Sequence, residues 1–419
     1  MVSAWAQETF KALKYRDYRV LWTGTLFSFL AFMMSSVVQS VVAFDLTGKN
    51  GAVGFVSLGM GIATILVSPF GGVVADRFSK RKLLFFGQTT IGLSFAVVGV
   101  LILTDQITIL LLAASTLVLG LVFSFIGPAR QAWVGELVPP DDLSNGIALQ
   151  QMGMTATRIL GPFLAAGLIA LPFVGAGGTY LFMGGLFGFV VFTLWLLPAS
   201  KPVVPTHRSF MQEMGMGVSH MRERPRLMLL SLSFIGVVIA GFSYMVILPG
   251  LLENELGRRP EDMAVLVGVS AISGFAVTLI LAGKAGSGHA WTFMLGGGVV
   301  LGASLWMLAL APSFVAAMGA MFAVGAGASA FQLLSNALVM QEADQAYYGR
   351  VMSVTMLAWG ANSLVAYPFG LLADGIGERE TLMVMGSGVV AVTTAAWVTV
   401  LGIGRREAAA PVASVAGGD

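Results

Sequence analysis

Long apolar runs and short polar segments alternate along the whole chain. A helix that crosses a bilayer needs about 20 predominantly apolar residues. Six runs meet this length, a polar stretch follows them, and six more runs come after it. The predicted spans are 19–44, 52–75, 82–103, 106–128, 145–170, 179–197, 227–250, 262–282, 291–310, 314–338, 350–373 and 381–403. The pattern therefore predicts an all-α integral membrane protein with twelve transmembrane helices.

The predicted spans divide the chain into two halves. Residues 1–200 hold the first six spans and residues 227–404 the other six, so each half is expected to form a six-helix bundle. The polar segment 201–226 contains prolines and charged residues, which is typical of a cytoplasmic linker between the halves. Small and polar residues dominate 405–419, and we expect this segment to be a disordered cytoplasmic tail.

The composition supports a membrane protein and excludes several other classes. The chain of 419 residues is 57% hydrophobic and 11% charged, whereas a soluble domain is about half apolar and a quarter charged. The absence of cysteine excludes disulfides, thiolate metal sites and cysteine nucleophiles. A net charge of +2 is too small to indicate nucleic-acid binding. No phosphate-binding GxxxxGK[ST] loop occurs, so the sequence does not support ATP-driven transport by this chain.

The distribution of basic residues gives an independent test of the number of spans. Lys and Arg accumulate in cytoplasmic loops of membrane proteins. With a cytoplasmic N-terminus, 18 of the 23 Lys and Arg fall on the cytoplasmic side, and only Lys49, Arg258, Arg259 and Arg379 fall on the outer side. A wrong number of spans would distribute the Lys and Arg residues over both sides of the membrane. We therefore expect both termini to be cytoplasmic, in a multi-pass protein of a bacterial-type inner membrane.

A weak internal repeat accompanies the two sets of six spans. At a constant offset of 206 positions, Glu136 matches Glu342, Pro162 matches Pro368, and Phe163 matches Phe369. These matches place span 5 on span 11, in register with the count of spans. Because many transporters are built from duplicated halves, the repeat favours two pseudo-symmetric bundles.

The stretch PFGGVVADRFSKRK (69–82) ends span 2 with an abrupt change from glycine-rich apolar sequence to charge. One interpretation is a helix end that basic residues hold on the cytoplasmic side. That interpretation covers Lys80 and Arg81 but does not explain Asp76 at the membrane boundary. An acidic group at that depth is well placed to meet the positive end of another helix.

The pattern Gly72-x-x-x-Asp76-Arg77-x-x-Lys80-Arg81 resembles motif A of the major facilitator superfamily. The opening FKALKYRDYRVLWTGTLFSFL is similar to the start of its drug- and siderophore-exporter branch, the enterobactin-exporter-like and macrolide-efflux-like permeases. GPARQAWVGELVPPDDLSNG resembles the loop 4–5 pattern of that branch, RILGPFLAAG resembles its fifth span, and QEADQAYYGRV continues the likeness more weakly.

This resemblance implies a latch at the cytoplasmic side. In the family, the motif A aspartate is thought to stabilise the outward-facing state by meeting the N-terminus of span 11 and nearby arginines. The matching positions are Asp76, the start of span 11 near Gly349 and Arg350, and Arg130. The loop after span 8, GKAGSGHAW (283–291), lacks the Asp-Arg pair. We therefore expect any latch in the second half to be degenerate or absent.

Ionisable residues inside a bilayer are functional candidates by default. None of the 21 acidic residues falls near a predicted midplane; Asp45, Asp76 and Asp374 lie at span ends. If transport is coupled to protons, Asp45 or Asp76 is the expected carrier.

Arg158 is the exception, because it lies near the middle of span 5. It shares a helical face with Gln151 and Met154, and the following Gly161-Pro162 resembles motif C, which the family associates with exporters. Two interpretations of Arg158 stay open: it attracts an anionic group or switches partners between states, or it is structural.

The resemblance implies a central cavity lined mainly by spans 1, 4, 7 and 10. Mild polarity with aromatic residues suits a small amphipathic substrate, although each polar residue alone is more often a helix–helix contact. The candidates are Ser28, Phe32, Ser35, Gln39, Gln151, Ser233, Tyr244, Ser329, Gln332, Asn336, Trp359 and Asn362.

The sequence predicts a monomeric secondary transporter that exports such a compound by alternating access with proton antiport, without a cofactor. A lipid, lysolipid or dedicated-metabolite transporter is the first alternative, and a non-transporting sensor or scaffold is the second. No convergent catalytic set is visible, so we expect no enzyme. His207, His220 and His289 lie in loops without metal-ligand spacing, which predicts solvated side chains and no metal site.

Overall fold

The fold is taken from a computed structural model of the chain. The structure describes residues 10–200, 210–282, 284, 287–344 and 347–409. Within these ranges it does not describe the side chains of 68–77, 210–214, 282, 348–350, 352, 353, 356 and 403–409.

Twelve long helices follow one another within the described residues and are numbered here in chain order. Short connections join neighbouring helices, except between the sixth and seventh and between the seventh and eighth. In the first half they are α1 (Arg16–Asp45), α2 (Asn50–Arg77), α3 (Lys80–Leu103), α4 (Ile109–Leu137), α5 (Leu143–Ile169) and α6 (Gly175–Trp195). In the second half they are α7 (Pro225–Gly241), α8 (Met263–Ala282), α9 (Ala290–Ala309), α10 (Phe314–Glu342), α11 (Tyr348–Ile376) and α12 (Glu378–Ala409).

The helices confirm the predicted all-α membrane architecture. Among the described residues, eleven segments are long and apolar enough to cross a membrane, and they cover every long helix except α11. That helix is 29 residues long and occupies the position of the predicted eleventh span. The start of α1, the linker and the end of α12 lie on one side of the protein, which is called the termini face. The opposite ends, at Asp45, Asn50 and Ile376, form the distal face.

Some boundaries differ from the prediction. Helix α4 runs to Leu137, well past the predicted end at 128, because Pro128 is accommodated inside the helix. It stops where Val138 is extended before Pro139, as expected for a residue that precedes proline. The linker contains a helix of its own, Phe210–Glu223. Helix α12 continues to Ala409, inside the predicted tail, and 410–419 lie outside the described residues.

The seventh span is interrupted, whereas the sequence predicts a continuous helix. Regular α7 ends at Gly241, and a 3-10 segment covers Phe242–Val246. A short helical turn at Leu248–Gly250 and a π-helical turn at Leu251–Glu255 complete the span. Pro249 lies in this region, and proline removes a backbone donor and clashes with the preceding turn. The interruption brings Ser243 and Tyr244 to the boundary between the halves.

Each half has a main hydrophobic core, although Val246, Ala264 and Ala366 of the second half join that of the first, and the same helix pairs build both. In the first half α2 packs on α4, α3 on α6, and α1 on α6. In the second half α8 packs on α10, α9 on α12, and α7 on α12, which is the same pattern six helices later. This correspondence is the structural form of the repeat that the sequence indicates.

The two halves contact each other through α2 with α11 and through α5 with α8. Under the half-to-half repeat these two contacts are equivalent. On α2, Gly54 lies so close to α11 that an added Cβ would come 2.6 Å from the Tyr367 Cα. On α8, Gly268 lies directly against the Phe163 ring of α5. All four residues are nearer to the distal face, so the halves are joined on that side.

Candidate functional site

Backbone and side-chain hydrogen bonds close the distal side. The Asp374 carboxylate accepts from the backbone N–H groups of Asn50 and Gly51, both at 2.8 Å. The Asn50 side chain donates to Glu378 at 2.9 Å, and Asn254 donates to the same carboxylate oxygen at 2.7 Å. Asn50 is 1% exposed and Glu378 is 6% exposed, whereas Asp374 is exposed at the outer edge of this network. A compound between the halves has no direct exit through these contacts.

Arg158 lies near the middle of α5 and keeps accessible surface there. It is within electrostatic range of Tyr244, on the interrupted seventh span of the other half. The Tyr244 hydroxyl is in turn placed to hydrogen-bond with Ser270 of α8. Among the residues that the structure describes, none forms a hydrogen bond or ion pair with Arg158. A guanidinium with free donors therefore lies deep between the halves.

The interrupted seventh span contacts two predicted cavity residues on α11. The Ser243 hydroxyl donates to the Asn362 side chain at 2.9 Å. The Phe242 and Trp359 rings meet edge to face, with centroids 5.1 Å apart. Aromatic and amide groups thus lie together next to Tyr244, which is the mixture that an amphipathic ligand site requires.

Other predicted cavity residues have different environments. Ser28, Ser35 and Ser233 are buried, and the hydroxyls of Ser35 and Ser233 donate to carbonyls of their own helices. In this conformation these three serines line no open space, unlike the expectation from their helical spacing. Gln151 on α5 is exposed. The remaining candidates on α1 and α10 are half-buried; they are Phe32, Gln39, Ser329, Gln332 and Asn336.

Gly161 and Pro162 pack inside the protein. Gly161 faces α1 so closely that a Cβ would overlap Met33. Pro162 is buried within α5 without ending the helix. The glycine therefore allows close approach of α5 to α1, and Arg158 lies less than one turn away along the same helix.

A polar cluster inside the first half was not identified from the sequence as a unit. The Arg130 guanidinium donates to Ser28 at 3.3 Å and lies over the Phe29 ring at 5.0 Å. Ser28 donates to Gln88 of α3 at 3.2 Å. Arg130 is 4% exposed, and its Nε has no hydrogen-bond partner among the described residues. Gln88, followed by Thr89 and Thr90 in an otherwise apolar span, was the signal in the sequence.

The structure describes only part of the predicted latch. The side chains of Gly72, Asp76 and Arg77 lie outside the described residues, as do those at the start of α11. Lys80 is 1% exposed and forms an ion pair with Glu136. Arg81 donates to the carbonyls at the end of α6, at 3.2 Å to Leu194 and 2.7 Å to Trp195. Both basic residues therefore make contacts within the first half.

The segment before α1 is fastened to the start of α5. Asp142 accepts ion pairs from Lys11 at 2.7 Å and Lys14 at 2.8 Å, and a hydrogen bond from Tyr15 at 2.8 Å. The Asn145 side chain accepts from the backbone N–H of Ala12 at 2.9 Å. These contacts hold the N-terminal segment against the termini face.

The ion pair with Asp142 gives a pH-dependent prediction. Hydrogen bonding to Asp142 raises the pKa of Lys14 above its ordinary value. A raised lysine pKa stabilises the fold below the unfolded value of about 10.4, and the contribution is lost as the pH rises through the folded pKa. Lys14→Met should therefore lower the thermal stability in detergent by a constant amount from pH 7 to 9. The difference from the unmodified chain should shrink above pH 10; a constant difference up to pH 11 would contradict this origin.

His220 corrects one expectation. The sequence predicts a solvated loop histidine, but His220 is 5% exposed and its ring stacks on Tyr347 at 4.3 Å. Its Nε2 accepts from the Asp344 backbone N–H at 3.4 Å, and Arg224 donates twice to the Asp344 carboxylate. The linker helix thus docks on the loop between α10 and α11. His289 is exposed as expected, and His207 lies outside the described residues.

Charged groups on the described spans follow the predicted placement. Asp45 is the last residue of α1, and no group of His, Asp and Glu within the described ranges is arranged to hold a metal ion. The described part of the chain offers no carboxylate beside Arg158.

Comparison with known proteins gives consistent results. A family model described as the Major Facilitator Superfamily matches residues 21–367. The macrolide efflux protein A of Streptococcus pyogenes is 22% identical over 401 residues, which cover 90% of this chain and 96% of that protein. The multidrug resistance protein MdtH of Shigella flexneri is 27% identical over 219 residues, 52% of this chain and 49% of that protein. A crystal structure of a POT family transporter superimposes with a TM-score of 0.73 at 12% identity, covering 93% of this chain and 96% of that one.

Proposed function

Because the chain belongs to the Major Facilitator Superfamily and is a membrane transporter, we propose that it exports a small amphipathic compound by alternating access. The observation that carries this proposal is the position of Arg158, between the halves and within electrostatic range of Tyr244, while the distal side is closed. Two bundles that rock around a site at the middle of the membrane expose that site to one side at a time.

The surroundings of Arg158 favour a particular class of substrate. Aromatic rings, amides and a tyrosine hydroxyl lie on the facing half, and they suit an apolar body with few polar groups. The free guanidinium adds a preference for an anionic or hydrogen-bond-accepting group on that body. The names of the curated relatives, which are efflux and multidrug resistance proteins, support export of a drug-like compound.

The proposed orientation places the termini face in the cytoplasm of a bacterial inner membrane. The excess of Lys and Arg on that side supports this orientation. We further propose that the transporter acts as a monomer, because each half has its own core and the substrate site lies between the halves of one chain.

We propose proton antiport as the energy source. No described carboxylate lies at the middle of a span, so the coupling groups are placed at span ends, where Asp45 and Asp76 lie. If this is correct, collapsing the pH gradient with an uncoupler should stop export in inverted membrane vesicles. Export that persists without the gradient would contradict proton coupling.

A growth-inhibition panel tests the export function. An efflux-deficient bacterial host would express the unmodified chain or Asp76→Asn and grow with dyes, macrolides, lipophilic cations and siderophore-related compounds. We expect a severalfold rise in tolerance to some of these compounds, reduced in the variant because the predicted latch is lost. Membrane fractions must contain equal amounts of both proteins.

The panel also distinguishes the alternatives. If the strain that expresses the protein tolerates no compound better than the host does, although the protein is present in the membrane, the proposal of drug export is wrong. Transport of fluorescent lysolipid in vesicles would then support the lipid alternative. If tolerance is equal in both strains, the latch function of Asp76 is wrong.

A further inference from the structure

Two helix ends on opposite faces of the protein carry nearly the same sequence. Helix α2 ends with PFGGVVAD (69–76) at the termini face, and α11 ends with PFGLLAD (368–374) at the distal face. Each half of this fold contains two three-helix repeats of inverted topology, which makes α2 and α11 equivalent with reversed orientation. The first aspartate lies in the stretch that resembles motif A. The second has no assigned function.

The structure shows what Asp374 does. Its two carboxylate oxygens accept from Asn50 N–H and Gly51 N–H, the first two residues of α2, each at 2.8 Å. The first N–H groups of a helix have no partner within the helix, and the helix dipole makes this end positive. A carboxylate from the other half of the protein therefore caps α2. This contact requires the distal side to be closed.

A second set of groups fits closely around this cap. The Asn50 amide donates to Glu378, which also accepts from Asn254. A Cβ added at Gly370 would come 2.5 Å from the Asn50 carbonyl oxygen, and one at Gly51 would come 2.8 Å from Asp374. Gly370 is thus needed for the two helix backbones to approach, whereas a side chain at Gly51 would press on the Asp374 carboxylate. The cap is a built contact between the halves, which surface charges alone would not produce.

We propose that Asp374 is the distal counterpart of the motif A aspartate, a positioning residue that stabilises the distal-closed state. The loop after span 8 lacks the Asp-Arg pair, so the sequence predicts that any latch in the second half is degenerate or absent. The inverted repeat places it at the end of α11 instead. Helices α2 and α11 would each present an aspartate to the N-terminus of the other, one at each face. This inference rests on the proposed alternating access.

Distance measurements between spin labels test the proposal. The chain contains no cysteine, so labelled pairs are introduced without background. Cysteines at Gln106 and Leu310 report on the distal face, and a second pair at Leu196 and Lys284 reports on the termini face. The charge-assisted cap predicts that Asp374→Asn raises the ratio of distal-open to distal-closed protein about tenfold. Asp374→Ala should raise it further because no acceptor remains, and Asp374→Glu should restore part of the closed population.

Glu255→Gln is the matched control. Glu255 is also a distal carboxylate, but it accepts from Arg379 at 2.5 Å within the second half. We expect this variant to leave both distance distributions unchanged. The same shift in Glu255→Gln would overturn the proposal, since loss of any distal carboxylate would then suffice. Unchanged distributions in folded Asp374→Asn and Asp374→Ala would also overturn it.

Failure of the proposed function has a different signature. The label distances report on conformation whether or not a substrate has been found. If Asp374→Asn opens the distal side but the unmodified chain exports no compound in the growth panel, the export function is wrong and the latch is supported. If export is observed but the distances do not respond to Asp374, the latch is wrong and the export function is unaffected.

Discussion

Replacing Gly54 with alanine should strongly reduce export, and replacing it with valine should abolish export, while both variants still insert into the membrane. A Cβ at this position would come 2.6 Å from the Tyr367 Cα, 2.7 Å from the Ala366 carbonyl oxygen and 3.0 Å from its carbon. All three are backbone atoms of α11, so no side-chain rotation relieves the overlap. Close packing of protein interiors makes such an overlap costly.

The overlap at position 54 destabilises only one state of the transport cycle. Gly54 meets α11 when the distal side is closed, and separating the halves removes the overlap. Overpacking typically costs about 1–3 kcal/mol, which corresponds to about 5- to 150-fold in the ratio of two states. The alanine variant should therefore populate the distal-open state, and valine should prevent distal closure. The label pair at Gln106 and Leu310 would measure this shift directly.

Gly185→Ala provides the control for the glycine substitution. No atom lies within 4 Å of a Cβ added at Gly185, which is on the exposed side of α6. Export by this variant should equal that of the unmodified chain. If Gly54→Val exports normally, the contact between α2 and α11 does not belong to the transport cycle. If Gly54→Ala loses export but keeps the distal-closed distances, a shift towards the distal-open state does not explain the loss.

Much of the architecture follows from the sequence because each helix that crosses a bilayer requires a long apolar run. A span needs about 20 apolar residues, and this length predicts the twelve spans and the linker between the halves; eleven of the long helices in the described residues meet the same requirement. The length of the apolar run does not show that the seventh span is interrupted. Pro249 lies next to the predicted end at 250, and the 3-10 segment Phe242–Val246 before it is mostly apolar, so the sequence there resembles a continuous helix.

The candidate site is less accessible to sequence reasoning because helical spacing fixes a face but not its neighbour. Ser28 and Ser35 lie on one face of α1, yet both are buried within the first half. Arg158 was identified because a charge at mid-span is rare whatever lies beside it. Tyr244 is a cavity candidate from the sequence, but its proximity to Arg158 depends on how the two halves fold together.

Contacts between distant segments explain what the sequence did not predict. Asp374 caps a helix that starts 324 positions earlier in the chain, and Glu378 bonds to Asn50 across 328 positions. Spacing carries no information about such pairs. His220 was misjudged for the same reason, because its partners Tyr347 and Asp344 belong to a loop more than a hundred residues away.

Arg158→Ala should reduce export of substrates that carry an anionic or acceptor group by about ten- to a hundredfold in kcat/KM. Loss of a hydrogen bond to a charged group costs about 1.5–3 kcal/mol, which gives this range. Arg158→Lys keeps the charge but loses the planar array of donors, so an intermediate effect is expected. Tyr244→Phe removes a hydroxyl within electrostatic range of Arg158 and tests whether that group positions the guanidinium.

The pattern across substrates separates the two interpretations of Arg158. If the guanidinium contacts the substrate, paired compounds with and without the acceptor group will lose different amounts of transport in Arg158→Ala, mainly through KM. If Arg158 is structural, all compounds will lose transport equally and the melting temperature in detergent will fall. Gln151, two turns earlier on the same face of α5, provides the control. Because it lies nearer the termini face and is uncharged, Gln151→Ala should preserve the discrimination between paired compounds that Arg158→Ala removes.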